Sequence, residues 1–311
     1  MNILERIGNT ALVEVTRLDA GPCRLFVKLE NENPGGSIKD RIALTMVESA
    51  EREGKLRPGG TLIEATAGNT GLALALIAVR KGYRLRLVIP DKMSQEKIFH
   101  LKALGAEVVM TRSDVGRGHL EYYQDLAERL ERETPGSFYV NQFANPANPK
   151  AHEEGTGPEI WRQMDGDLDA MVCGVGSGGT LTGLSRFFGR VAPEVNMVLA
   201  DPAGSVLADY VRTGTLGTAG SWLVEGSVRT SSRPSVTSRG CGTSIPSRMP
   251  RVSRPPGPCY EKRGSSRARP RARSWPRRSS IAGTAAGRSA WSPSSATAAT
   301  NTCPRCTMNT G

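Results

Sequence analysis

The chain reads as an α/β protein, and three observations on residues 1–226 carry that reading. Short apolar runs alternate with helical ones from Leu62 onward. Glycine-rich turns at Glu64–Gly71 and Cys173–Thr180 each stand between an apolar run and a helical one. Strand and helix come in turn often enough to predict mostly parallel sheets, with helices on both faces and ligands at the carboxyl ends of strands.

The elements follow in order. A polar turn ends at Lys39, where the amphipathic run Arg41–Val47 begins a helix that Ser37 is able to cap. A strand is predicted from Leu62. The helix Leu72–Val79 is apolar almost all round and is expected to be buried. Tyr83, Leu85, Leu87 and Ile89 alternate with Arg84 and Arg86, as in a strand with one dry face. Helix Gln95–Leu104, strand Glu107–Met110, helix Gly118–Glu133 and strand Ser137–Gln142 follow. Beyond Pro158 come a short helical stretch Glu159–Met164, strand Asp169–Cys173, helix Thr180–Val191 and strand Val195–Ala200.

Three segments carry candidate chemistry. In Lys28–Arg41, KLENENPGGSIKDR, Gly35 and Gly36 let the backbone bend and approach a ligand. Lys39 sits in the first helical turn, where the helix dipole disfavours a cation. An amine held there is a candidate for attack on a carbonyl, against the plainer reading of a solvated surface lysine. In Cys173–Thr180 successive glycines expose N–H groups at a helix start, a cup for phosphate. Gly174, Gly176 and Gly179 also satisfy Gly-x-Gly-x-x-Gly, with Asp201 placed as a ribose-binding acid, so a nicotinamide enzyme competes, as does a purely structural turn. In Glu64–Gly71 the N–H groups and the Thr66 and Thr70 hydroxyls suit a carboxylate, and Asn69 is able to donate to a phenolate oxygen; the alternative is a helix-capping turn. The amides of Asn141–Pro149, Gln142 among them, suit a substrate rim or a proline-ordered connector. His152 and the other two histidines show no ligand or triad spacing and read as structural or surface residues.

Composition bounds the rest. The 311 residues leave room for two cores. No apolar run is long enough to span a bilayer, and MNILERIGNT lacks a signal-peptide layout. Six cysteines, unclustered through the first two hundred residues, fit a reduced, cytoplasmic protein, with Cys23 and Cys173 as small buried hydrophobes. The net charge of +11 is uneven, because residues 227–311 hold 16 Lys+Arg against the single acid Glu261. That tail has no Leu, Phe or Asp, so burial cannot offset its ordering entropy and it is expected to be disordered.

The pattern Lys28-x-Glu30, Asn33-Pro34, Ser37, Ile38, Lys39-Asp40-Arg41 resembles the cofactor-lysine motif of the pyridoxal-phosphate (PLP) enzymes that comprise O-acetylserine sulfhydrylases (cysteine synthases) and cystathionine β-synthases, and the resemblance continues to about Gly226. It implies PLP fold type II (tryptophan synthase β-like) in two domains. Residues 1–40 with 150–226 would form the larger PLP domain, and 41–149 the smaller one. It implies that Lys39 binds the cofactor, Gly176, Ser177, Gly178, Gly179 and Thr180 hold its phosphate, and Asn69 meets its 3′-oxygen. Thr66, Ala67, Gly68, Thr70 and Gln142 would receive the substrate carboxylate, Ala67 standing where many relatives carry serine. A homodimer is implied, with no membrane or metal. The expected reaction is β-replacement on O-acetylserine by sulfide to give L-cysteine. The alternative joins serine and homocysteine into cystathionine. Met93 and Asp201–Ser205 look closer to the cystathionine branch, whereas Thr156–Trp161 and the N-terminal stretch look closer to the cysteine branch.

The tail admits a further reading. Read one base out of register, permitted codons for Gly226–Arg233, Gly264–Pro276 and Trp291–Gly311 yield stretches resembling the family's C-terminal third, in the family's order. A frameshift near Gly226 is therefore expected, against a nucleic-acid-binding or anionic-surface basic arm and a merely solubilising extension. On this reading Cys303 and Cys306 are no metal or redox pair, the serine facing the cofactor's pyridine nitrogen is scrambled across Ala268–Ala272, and the chain as written is expected to be poorly soluble with little turnover.

Overall fold

The computed structural model describes residues 2–66, 68–202, 204–215 and 218, together with the backbone of 279–283 and 297–300. The chain opens with β1 (Leu12–Glu14) and β2 (Cys23–Lys28), an antiparallel pair with Val13 opposite Val27. The sequence reading had no strand here, because β1 is only three residues long and its burial alternation is weak.

The helix α1 (Lys39–Arg52) buries Ile42, Ala43, Met46, Val47 and Ala50 at helical spacing. Its N-cap is Ile38; Ser37 contributes one position earlier, its Oγ accepting the Lys39 N–H at 3.2 Å. Next come β3 (Thr61–Ala65), α2 (Asn69–Lys81), β4 (Arg84–Pro90), α3 (Gln95–Ala103), β5 (Glu107–Thr111), α4 (Tyr123–Glu133) and β6 (Ser137–Tyr139). The four strands pair in the order β5-β4-β3-β6, all parallel. Leu62, Leu87 and Ile89 face one core with α1 and α2, and Ile63 and Val88 face another with Leu126 of α4. Helices thus cover both faces. The second half of β4 is dry on both sides, which its Arg84-Leu-Arg86 opening conceals. α2 buries Leu74 and Ile77 but leaves Val79 66% exposed, so it is one-sided despite its composition. α4 begins at Tyr123, five residues beyond the predicted Gly118, which has φ +92°.

The chain then forms α5 (Ala147–Ala151), a π turn (His152–Thr156), α6 (Gly157–Gln163), β7 (Ala170–Cys173), α7 (Gly179–Val191), β8 (Asn196–Leu199) and α8 (Leu207–Thr213). The second sheet has the order β1-β2-β9-β10-β7-β8, where β9 is Ser279–Gly283 and β10 is Thr297–Thr300. It mixes parallel pairs, β2 with β9 and β7 with β8, with antiparallel ones at β10. Those two strands are the described parts of residues 227–311; the other residues on which the tail expectations fall, Glu261, Ala268–Ala272, Cys303 and Cys306 included, lie outside the described residues.

β8 is an edge strand, yet Met197 and Leu199 are buried with Leu184 and Phe188 of α7. Cys173 is buried, whereas Cys23 retains partial exposure on β2, contrary to its expected burial. Within this frame α1 packs on α2 and α5, and α5 on α7, and the starts of α2 and α7 are joined through Gln142 and Asn148.

Candidate active site

Lys39 is the first residue of α1. Dense surroundings disfavour its charge and push its pKa down to about 8 from an ordinary 10.5. The turn before it is pinned by Asp40, whose Oδ2 accepts the Gly35 N–H. A Cβ on Gly35 would lie 2.5 Å from Asp40 Oδ1, so only glycine fits there. Burial also raises Asp40, to about 6, and its Oδ1 has no hydrogen-bond partner.

Behind Lys39 lies a buried ionic cluster. Arg41 donates from Nε and Nη2 to both oxygens of Glu30 at 2.6 and 2.7 Å, and from Nη1 and Nη2 to those of Glu159 at 2.8 and 3.0 Å. Lys28, fully buried, donates to Glu159, to the Thr10 carbonyl and to Gln163 Oε1. Thr10 Oγ1 and Asn33 Nδ2 fill remaining acceptor sites on Glu30. Burial opposes the Glu159 charge, but hydrogen bonds and attraction from Arg41, then Lys28, hold it down to about 2. These bonds tie β2, α1 and α6 together around the residue two places after Lys39.

The β3–α2 turn forms the second wall. Thr66 Oγ1 accepts the Gly68 N–H at 3.2 Å, and Asn69 is exposed at the start of α2. Thr70 is buried and donates to Gln142 Oε1 at 2.8 Å. The Gln142 N–H in turn donates to Glu64 Oε2 at 3.2 Å, while Glu64 Oε1 accepts the Ala65 N–H at 3.1 Å. Glu64 is wholly buried, and that burial raises its pKa to about 7 although backbone N–H groups oppose the rise. The two candidate carboxylate-binding segments are therefore linked to each other. Ala67 lies outside the described residues.

The third wall is the β7–α7 turn. Gly178 takes φ +91°, a left-handed conformation natural to glycine. A Cβ on Gly179 would fall 1.8 Å from Asn148 Oδ1, so the backbone approaches its neighbour too closely for any side chain. Asn148 Nδ2 donates to Ser177 Oγ at 3.0 Å and to the Gln142 carbonyl at 2.7 Å, tying this turn to the second wall. Thr180 is half-buried, and His152 Nε2 lies 3.2 Å from its Oγ1. His152 is buried and kept neutral, well below 6.5, by desolvation and by the charges of Arg41 and Lys39.

These residues fit PLP. A desolvated amine suits the aldehyde, and a side-chain-free turn of N–H groups at a helix start suits the phosphate. Among the described residues no cluster of three or more His, Cys, Asp or Glu is arranged to hold a metal ion, and no helix is long and apolar enough to cross a membrane.

A family profile described as pyridoxal-phosphate dependent enzyme matches residues 3–236, and the chain belongs to this family. It is 46% identical over 211 residues to cystathionine β-synthase of Mus musculus, spanning 67% of this chain but 38% of that relative's length. It is 40% identical over 249 residues to cysteine synthase of Staphylococcus aureus strain Mu50, covering 78% of this chain and 79% of that one. A crystal structure of a hydrogen sulfide-producing enzyme from Fusobacterium nucleatum superposes with TM-score 0.65 at 37% identity, over 73% of this chain and 72% of that one. O-ureido-L-serine synthase superposes with TM-score 0.67 at 36% identity, over 73% and 69%. The chain is thus a PLP-dependent enzyme of the cysteine synthase and cystathionine β-synthase group, with the tryptophan synthase β-like fold. This membership sets aside the nicotinamide reading of the Gly174–Gly179 spacing.

Four residues around the site escaped the sequence reading. Glu64 is a lone acid inside the apolar run Leu62–Ala65, a signal of a satisfied buried charge. Asn148 was one of several amides in its loop, with nothing to single it out. Glu159 follows Pro158 where an acid also serves a helix's first turn. His152, read as structural or surface, is buried against Thr180 through a π turn that sequence periodicity does not announce.

Proposed function

We propose that the chain is built for β-replacement on a serine derivative, with O-acetylserine and sulfide giving L-cysteine. Lys39 Nζ would hold the cofactor and, once released, take the proton from the substrate Cα. The N–H groups and hydroxyls of Thr66, Gly68 and Thr70, with Ala67 and Gln142, would orient the substrate carboxylate, and Asn69 would meet the cofactor 3′-oxygen. Gly176, Ser177, Gly178, Gly179 and Thr180 would hold its phosphate. PLP, when bound, supplies the electron sink for charge developing at Cα. The carrying observation is the Lys39 amine with its pKa lowered to about 8, which makes a neutral base available near neutral pH.

Homocysteine with serine is the second reading, favoured by the 46% identity to cystathionine β-synthase. A homodimer fits both readings. The test supplies each substrate pair to PLP-loaded protein and identifies the product by mass spectrometry. Cysteine as the faster product supports the first reading, and cystathionine the second. Product formed equally by a Lys39→Ala variant would overturn both.

A further inference from the structure

We propose that Thr156 and His152 are positioning residues that aim the hydroxyl proton of Thr180 at an anion in the glycine cup. The proposal rests on the reading of Gly176–Thr180 as the phosphate site. Its geometry is a chain of three side chains. Thr156 Oγ1 lies 2.9 Å from His152 Nδ1, and His152 Nε2 lies 3.2 Å from Thr180 Oγ1. Thr156 and His152 are almost wholly buried, whereas Thr180 is half-buried at the first turn of α7.

The direction of the chain follows from donor and acceptor counting. The phosphate-monoester dianion of PLP only accepts, so Thr180 donates its one proton to it and keeps lone pairs for a second partner. That partner is His152 Nε2, which must then carry the ring proton. A neutral imidazole has one donor and one acceptor, so Nδ1 accepts, and Thr156 is the donor facing it. Each assignment forces the next, from the anion back to Thr156.

The backbone is shaped for this contact. His152 and Thr156 are the two ends of the π turn, a form that recurs at functional sites. The turn lies against α7 at Gly183, where a Cβ would meet the Pro149 carbonyl oxygen at 2.2 Å and His152 Cβ at 2.7 Å. A side chain there would push His152 away from Thr180. Burial, with the charges of Arg41 and Lys39, also keeps the imidazole neutral, so the ring has a tautomer to select.

The test is ¹⁵N NMR of the full chain with labelled histidine rings, first with inorganic phosphate and then with PLP. The chain has three histidines, and a His152→Gln variant identifies the signal. The expected result is the Nε2–H tautomer when PLP is bound. A Thr156→Val variant should bind phosphate about 10-fold more weakly, and Thr156→Ser should restore it. The Nδ1–H tautomer with PLP bound would overturn the proposal, as would wild-type phosphate affinity in Thr156→Val. If neither anion shifts the backbone amides of Gly176–Gly179, the cup reading fails and takes this proposal with it. Shifted amides with the wrong tautomer overturn the relay alone. The tautomer is read on the unmutated chain, so a Thr156→Val chain that does not fold leaves the test standing.

Discussion

Arg41 and Glu159, 118 residues apart in sequence, are joined inside the protein by hydrogen bonds of 2.8 and 3.0 Å. Through this pair the helix that opens with Lys39 is fastened to α6, and Lys28 and Glu30 complete the cluster from the β2 side. Removing the guanidinium would leave two buried carboxylates facing each other, so Arg41→Ala is expected to cost about 3–5 kcal/mol. Arg41→Lys should recover only part, since an ammonium cannot present the same fork to both partners. Urea unfolding of the variants checks this, and a loss under 1 kcal/mol for Arg41→Ala contradicts it.

Glu64 makes stability depend on pH. Its carboxyl ionises near 4.5 in an unfolded chain and near 7 when buried in the fold. Its contribution is therefore complete below about pH 4.5 and is lost as pH rises through about 7, by up to about 3 kcal/mol. Asp40, raised to about 6, acts in the same direction. The melting temperature is expected to fall between pH 5 and pH 8, and Glu64→Gln should flatten that slope. An unchanged slope in the variant would show that Glu64 is ionised throughout.

The glycines of α7 should respond oppositely to alanine. At Gly189 a Cβ meets nothing within 4 Å, and Gly189→Ala is expected to stabilise the helix by up to about 1 kcal/mol. At Gly179 the new methyl would meet Asn148 Oδ1 at 1.8 Å. Gly179→Ala is expected to weaken PLP binding at least 10-fold, because the cup must open to admit it. Equilibrium binding and thermal melts separate the two effects, and equal behaviour of the two variants would contradict this account of the turn.

Much of this was legible in the residues. Alternating periodicities announced β3 to β6 and their helices, because each strand there is bounded by a turn and packed on an apolar helix. Glycine spacing and the position of Lys39 announced the turns that lead into α1, α2 and α7, since those features answer to backbone geometry. The connections between walls were not legible. Asn148 reaches Ser177, and Thr70 reaches Gln142, across sequence distances that no local pattern encodes. The π turn was equally silent, because a single turn of five residues is too short to leave a periodic trace.

Residues 227–311 permit a genetic test. If the reading frame changes near the Gly226 codon, restoring one base should yield a chain recovered in greater soluble amount and retaining PLP through gel filtration. Equal yield and equal retention before and after repair would count against the frameshift.

The central claim is that the amine of Lys39 bonds covalently to PLP, and one measurement addresses it most directly. The chain is incubated with PLP, reduced with borohydride, digested and mapped by mass spectrometry. The account predicts a pyridoxyl group on the peptide carrying Lys39, lost in Lys39→Ala. An unmodified Lys39 peptide, or label spread over other lysines, would contradict it.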